Sequence, residues 1–262
     1  MNLILVKLRS RIRRPIRNLL APHHFAASIA EFRRLLPKDV CPEKLWNLTR
    51  AYRGRGWYKD LSAWQMKSEY CRLVEFVARQ TPRVILEIGT AKGGTLLAWS
   101  RIATELVISV DMFGGAGGGG YPKAKVRLFQ QFALDRPGVE IVPLREDSHS
   151  LDTRELVKKI LAGRTIDFLF VDGDHTYDGV SRDFEIWSGL VTPGGHVAFH
   201  DILREVERLW AELKQKYPQH FELVEDPRQG WRGIGVLQIP FVPEPENQIA
   251  RAPRVFDRKR AH

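Results

Sequence analysis

Cysteine is nearly absent, with Cys41 and Cys71 the only two in 262 residues. Two cannot build the disulfide framework of a small secreted domain, so a reducing, cytoplasmic compartment is expected. No apolar run approaches the roughly 20 residues that span a bilayer. The apolar stretch Leu3–Val6 is too short for a secretory signal, and arginines follow it. No internal repeat occurs, which excludes repeat architectures. Acids are missing from residues 1–17, which hold Lys7, Arg9, Arg11, Arg13, Arg14 and Arg17. Residues 251–262 carry five basic residues against Asp257 alone. These two ends account for the whole net charge of +10 and leave residues 18–250 neutral. A nucleic-acid enzyme keeps its positive charge beside its site, so the neutral body counts against a broad nucleic-acid face.

What is present is ordinary globular composition, 44% hydrophobic and 27% charged, which rules out a disordered chain. The length fits one large α/β domain with a smaller appendage. At the N-terminus, Leu5, Leu8, Ile12, Ile16 and Leu19 form a helical stripe with most of the basic residues on the other side. Pro15 is expected to kink or end that helix. The stripe fits a solvated or self-packing helix, and equally a helix in peripheral contact with an anionic membrane through residues 1–20. The segment Pro240–Pro245 and the basic end after it read as a tail.

Between the ends, residues 24–80 read as helical and irregular. A helix is predicted from near Asp60 through Trp64, Leu73, Val74 and Val77 to Gln80, ahead of Pro82. Then short β-branched runs begin. Arg83–Glu87, Leu106–Val110, Glu140–Pro143, Ile166–Val171 and His196–His200 read as buried strands. Helical patterns follow them at Gly93–Ile102, Lys123–Leu134, Thr153–Leu161, Val180–Leu190 and Glu205–Lys216. Phe221–Val224 and Gly233–Ile239 are two more strands without a helix between them, so an antiparallel hairpin is expected there. The pattern predicts an α/β fold, a mostly parallel seven-stranded sheet with helices on both faces and an antiparallel C-terminal hairpin. Three units follow: a basic helix and helical cap at 1–80, the sheet domain at 81–240, and the basic, Pro-containing tail at 241–262. In such sheets ligands bind beyond the carboxyl ends of the strands, near the topological switch point.

The residues at those strand ends carry chemistry. After the first strand comes EIGTAKGGT, with glycines at 89, 93 and 94 and Ala91 where the dinucleotide fingerprint needs glycine. The second strand ends at Asp111, 22 residues past Gly89. An acid there can accept both hydroxyls of a ribose; it can also serve as a helix cap or turn residue. Asp147 and Ser148 follow the third strand, placed to meet an adenine amino group or to cap the next helix. The fourth strand ends in VDGDHTY and the fifth in His200-Asp201. Asp172, Asp174 and His175 suit metal binding or acid–base work, and Asp174 and His175 equally suit turn formation and helix capping. In a parallel sheet, adjacent strand ends bring Asp172 and Asp201 near one another. The run Gly114–Gly120 reads as a lid or as a disordered insertion. Trp57, Tyr58 and Trp64 read as core or as a wall for a sugar ring.

Taken together, EIGTAKGGT, VDGDHTYDGVSRDFEIW and LVTPGGHVAFHD resemble class I S-adenosylmethionine-dependent methyltransferases across about residues 83–239. The VDGDH-bearing small-molecule O-methyltransferase group is the best match, with likeness to cephalosporin-hydroxylase-like and macrolide-sugar O-methyltransferase-like proteins. The resemblance implies a Rossmann-like fold. It places the methionine part of the cofactor at Glu87, Gly89 and Gly93, the ribose at Asp111, and the adenine near Asp147 and Ser148. Thr90 and Asp172 count among the same cofactor contacts. It implies a divalent metal, magnesium by analogy, at Asp172, His200 and Asp201, and a base at His175. His200 departs from the usual oxygen ligand, and hard cations prefer oxygen. The function so implied is metal-assisted O-methylation of a hydroxyl on a sugar or other polar small molecule. The rivals are a hydroxylase-like member of the fold, an NAD-dependent dehydrogenase, which the glycine pattern disfavours, and a non-catalytic membrane-associated binding protein. His149 or solvent is the rival to His175 as proton acceptor.

Overall fold

The computed structural model describes residues 19–112, 114, 119–226 and 228–241. The basic N-terminal stripe, most of the Gly114–Gly120 run and the C-terminal tail lie outside the described residues. Among the described residues three helices come first, α1 (Ala21–Leu35), α2 (Pro42–Ala51) and α3 (Lys67–Arg79). Proline occupies the first turn of both α1 and α2, where its missing N–H costs nothing. In α3, Tyr70, Leu73, Val74 and Val77 fall on one face and are buried. Full burial of such a side chain is worth about 1.5–3 kcal/mol, enough to fix this helix against the sheet.

The predicted start of α3 at Asp60 is corrected: the helix begins at Lys67. Asp60 has φ +65°, outside any helix, and its carboxylate accepts a hydrogen bond from the Ser62 N–H at 2.9 Å. That local turn competes with helix, as aspartate commonly does. Residues 59–65 thus form an irregular segment with Leu61 and Ala63 buried, not a first helical turn.

The sheet has seven strands: β1 (Val84–Ile88), β2 (Leu106–Val110), β3 (Glu140–Leu144), β4 (Ile166–Val171), β5 (Val191–His200), β6 (His220–Leu223) and β7 (Ile234–Gln238). Their order is β3-β2-β1-β4-β5-β7-β6. The first five pair in parallel; β7 runs antiparallel to both β5 and β6. The C-terminal hairpin is therefore present, with the last strand inserted between its partner and β5. Strand β5 is longer than expected. It begins at Val191 and not at His196, so Pro193-Gly194-Gly195 lies inside it, where the pairing with β4 shifts register and Gly194 and Gly195 exchange backbone hydrogen bonds with Ile239.

Five further helices connect the strands: α4 (Gly94–Ile102), α5 (Val126–Phe129), α6 (Leu151–Leu161), α7 (Tyr177–Trp187) and α8 (Glu207–Lys216). The Lys123–Leu134 helix is reduced to a 3-10 turn and the four residues of α5. Alternation along the strands builds two cores. Ile85, Val107 and Phe168 join α1–α5 on one face; Val84, Leu86 and Ile108 join α6–α8 on the other. Among the described residues no helix is long and apolar enough to cross a membrane.

Candidate active site

The switch point of this sheet lies between β1 and β4, and a cavity of about 940 Å3 opens there. Its wall comes from the ends of β1, β2, β4 and β5, the segment after β3, the loop before α3, and the loop before β7. Gly89 is the hinge of the wall. It has φ +86°, and a Cβ added to it would sit 2.0 Å from the Asp172 carbonyl oxygen, so only glycine lets β1 turn this close to β4. Asp111 fastens the turn. Its Oδ2 accepts hydrogen bonds from the N–H groups of Thr90 (3.0 Å), Ala91 (2.6 Å) and Gly120 (3.2 Å). Burial pushes its carboxyl above the usual range against those three bonds. Asp111 thus does the turn-forming work the sequence allowed for while its side chain stays on the cavity wall.

Of the cofactor candidates, Gly89, Thr90, Asp111, Asp147, Ser148 and Asp172 line the cavity; Glu87 and Gly93 are not among the lining residues. Glu87 is fully buried and accepts a hydrogen bond from the Trp99 indole at 2.8 Å, and burial pushes its carboxyl up to about 8. Gly93 has φ +90° and backs onto the Phe129 ring. Both support the turn from behind. Asp147 accepts the His149 N–H at 2.9 Å. His149 Nε2 lies 3.1 Å from the Gly179 carbonyl and 3.4 Å from Asp183, a buried acid that burial pushes up to about 6.

The ends of β4 and β5 bring two acids and two histidines together. Asp172 Oδ1 lies 2.9 Å from His200 Nδ1 and 3.2 Å from His175 Nε2; Asp201 Oδ2 lies 2.7 Å from His175 Nδ1. His175 therefore bridges the two carboxylates through both ring nitrogens. Capping of α7 is left to Thr176, whose hydroxyl accepts the Gly179 N–H, and Asp174 accepts the Thr176 N–H. Of the two residues offered for turn work, Asp174 does it and His175 does not. Burial would lower His175, but its hydrogen bonds to Asp172 and Asp201 outweigh that and push it up to about 11. Burial would raise Asp172, yet the His200 charge and the bonds from both histidines hold it well below the usual carboxylate range. His200 is raised in turn by Asp172, against its own burial. The ordinary histidine pKa, on which a base near neutrality would rest, is not kept at His175 in this state. Asp201 has φ +59°, a left-handed conformation that aspartate tolerates better than most residues.

Two buried residues that shape the site went unmarked in the sequence. Gln65, 2% exposed, donates from Nε2 to Asp172 Oδ2 at 2.7 Å. No sequence signal marks it, since a lone glutamine before a helix is ordinary. Lys125, also 2% exposed, donates to the Lys92 carbonyl at 2.9 Å and to the Asp60 carbonyl. It ties the Gly89–Gly93 turn to the segment that carries Gln65. Burial pushes Lys125 down to about 7. Between about 7 and its ordinary 10.5 the unfolded chain holds the extra proton, so rising pH favours the folded state across that window. Thermal melts of the parent are expected to show this added gain between pH 7 and 10, and Lys125→Met to lack it. Parallel curves for the two proteins would exclude the linkage.

Comparison with known proteins agrees with this arrangement. Residues 86–202 match the family described as "Methyltransferase domain". A curated protein of Acanthamoeba polyphaga mimivirus, itself named as uncharacterised, is 34% identical over 70 residues. That stretch is 22% of this chain, and it spans about a third (32%) of the curated relative's length. Among solved structures, an O-methyltransferase from Bacillus cereus in complex with SAH superposes with TM-score 0.51 at 20% identity, covering 82% of this chain and 97% of that one. A putative O-methyltransferase from Klebsiella pneumoniae superposes with TM-score 0.50 at 17% identity, over 82% and 96% of the two chains. TomG from Streptomyces achromogenes, an O-methyltransferase involved in tomaymycin synthesis and solved with SAM, gives 0.50 at 15% identity over the same shares. At such identities the superpositions speak for the fold. The family match covers less than half of the chain and falls on the segment that supplies the ends of β1, β2, β4 and β5 at the switch-point cavity, so this segment is similar to methyltransferase domains.

Proposed function

We propose that the protein is an S-adenosylmethionine-dependent O-methyltransferase acting on a hydroxyl of a polar small molecule, with sugars the leading class. The observation that carries this reading is one cavity shared by the Gly89 turn, Asp111 and the acid–histidine cluster. Gly89, Thr90, Asp111, Asp147 and Ser148, all on the cavity wall, would hold the cofactor, with Asp172 toward its reactive end. The acceptor oxygen attacks the sulfonium methyl carbon as the carbon–sulfur bond breaks. S-adenosylhomocysteine leaves, and the acceptor's proton passes to the cluster. Asp172 and Asp201 hold the His175 proton, and a cofactor cation bound near these carboxylates would weaken that hold and let His175 act as the base.

Calorimetry tests the cofactor assignment. Parent protein is expected to bind S-adenosylmethionine one to one. Asp111→Ala is expected to weaken binding by about 1.5–3 kcal/mol, the worth of hydrogen bonds to a charged acceptor. Equal affinity in parent and variant would reject Asp111 as the ribose partner.

Metal assistance belongs to this proposal. Asp172, His175 and His200 each offer a ligand atom, all within 4.8 Å of one another, with Asp201 adjoining through His175. The buried His200 Nε2 has no hydrogen-bond partner among the described residues. With His175 kept as the base, the ion would be held by Asp172, His200 and Asp201, and the imidazole among them suits a borderline first-row ion such as manganese; magnesium asks for an oxygen octahedron that this set does not supply. When bound, such an ion would lower the pKa of the acceptor hydroxyl. With His175 as a ligand instead, Asp172, His175 and His200 give the two imidazoles and one carboxylate of the type found in non-haem iron oxygenases, which favours hydroxylase-like chemistry as the second reading. Methyl transfer that proceeds without dioxygen decides for the first. A protein that binds cofactor but transfers methyl to nothing would be the binding protein instead.

Residues 1–20 are proposed to hold the enzyme reversibly on anionic membranes, on the strength of their six cations and apolar stripe. Each cation near such a surface contributes about 1 kcal/mol, screened by salt. Co-sedimentation with anionic liposomes is expected to fall on deletion of the segment. Unchanged sedimentation would show that it is not the anchor.

A further inference from the structure

The chain has seven tryptophans, and the two exposed ones among them, Trp64 (46%) and Trp231 (43%), both line the cavity. They come from the segment before α3 and the loop before β7, more than 160 positions apart. Arg232 joins them. Its guanidinium donates to the Trp64 carbonyl and lies 4.5 Å over the Trp231 ring. Arg232 has φ +61°, a left-handed conformation that costs a non-glycine residue free energy and is held only where surroundings enforce it. The enforcing group is Glu69 of α3, fully buried. It accepts hydrogen bonds from the Gln229 side chain (2.8 Å) and the Gly233 N–H (3.3 Å). Two large indoles are thus tied together at the cavity wall by hydrogen bonds, with part of each ring open to water.

Gln65 supplies a second, polar observation beside them. Its amide can face Asp172 only through nitrogen, because the carboxylate accepts and cannot donate. That orientation sends Oε1 away from Asp172, and Oε1 has no hydrogen-bond partner among the described residues. A buried carbonyl left unpaired costs free energy, so the place fits a ligand group that donates. The neighbouring place, at Asp172 and His175, is where the reacting hydroxyl belongs.

We propose that Trp64, Trp231 and Gln65 form an acceptor subsite for a ring carrying vicinal hydroxyls. The ring face rests on the indoles, one hydroxyl reacts at the Asp172–His175 cluster, and the adjacent hydroxyl donates to Gln65 Oε1. This rests on the transferase reading above and narrows its acceptor.

The probe is S-adenosylmethionine labelled in the methyl group, incubated with the full-length protein and a polar small-molecule extract of cells. Half of the extract is first treated with periodate, which cleaves vicinal diols, and quenched. Label incorporation is expected in the untreated extract and is expected to be lost after periodate. With the labelled acceptor purified, Trp64→Ala and Trp231→Ala are each expected to raise its KM by about 3–10-fold with kcat little changed. Gln65→Met is expected to lower kcat/KM by about tenfold or more. Cofactor affinity, measured alongside, reports whether each variant is folded, and the periodate comparison needs no variant. A parent that binds no cofactor or transfers no label sinks the transferase reading and the subsite with it. Normal cofactor binding with undiminished labelling of the periodate-treated extract, or with parental KM in both tryptophan variants, overturns the subsite alone.

Discussion

His175→Ala is expected to slow methyl transfer by about 10²–10⁴-fold, the usual worth of a general base, while S-adenosylmethionine binds with parental affinity. The imidazole meets each carboxylate through a different ring nitrogen, Asp201 at 2.7 Å and Asp172 at 3.2 Å, whereas His200 reaches both through Nδ1 alone. Removing it leaves the two acids facing each other with His200 alone between them and takes away a nitrogen base. His149 is the rival, yet its Nε2 is spent on Gly179 and Asp183. Single-turnover rates of both variants, each with its cofactor affinity, separate the two. An unimpaired His175→Ala enzyme would remove His175 from the chemistry, and a larger loss in His149→Ala would transfer the role.

Asp172→Asn is expected to be the most destabilising change in the site, by about 3–5 kcal/mol, because it removes one partner from a buried charge cluster and strands the rest. Asp172 accepts from Gln65 at 2.7 Å and meets His200 and His175 in the same carboxylate. The amide cannot accept all of these at once. Denaturant melts measure the loss. The same melts read metal binding without any turnover: millimolar manganese is expected to raise the midpoint of the parent and to leave Asp172→Asn unmoved, since a ligand stabilises only the state that binds it. A stability equal to the parent's would mean that the cluster carries little net energy. A manganese shift that survives in the variant would place the ion elsewhere.

The central strands β1 and β2 were legible because each is a short, β-branched run buried on both faces, with no alternation to confuse it. The positions of Gly89, Asp111, Asp172 and Asp201 at strand ends followed from that pattern, and so did the meeting of the last two. What periodicity could not show is where local hydrogen bonding overrides it. Asp60 sits in an apolar-spaced run yet closes a turn on Ser62, so α3 starts at Lys67. Pro193-Gly194-Gly195 carries turn chemistry but is held in β5 by Ile239, a partner over 40 positions away. Glu87 stands at a strand end like the others, but alternation aims it at Trp99 and not at the cavity. Lys125 lies in the predicted Lys123–Leu134 helix, between Ala124 and Val126, where nothing marks a buried lysine; its burial depends on two carbonyls from distant turns. Trp231 and Arg232 had only loop character in sequence, and nothing local foretells that they meet the segment of Trp64.

The sheet order sets a schedule for synthesis. Strand β7 is the last to leave the ribosome, yet it lies inside the sheet, between β5 and β6. Until residues 234–238 emerge, β5 presents a bare hydrogen-bonding edge and β6 has nothing to pair with. Trp231 and Arg232 immediately precede that strand, so the mouth of the cavity is assembled in the same closing step. A nascent chain halted short of Ile234 therefore exposes an open edge prone to sticking to its neighbours on a polysome, and holds no finished pocket for a ligand to rescue.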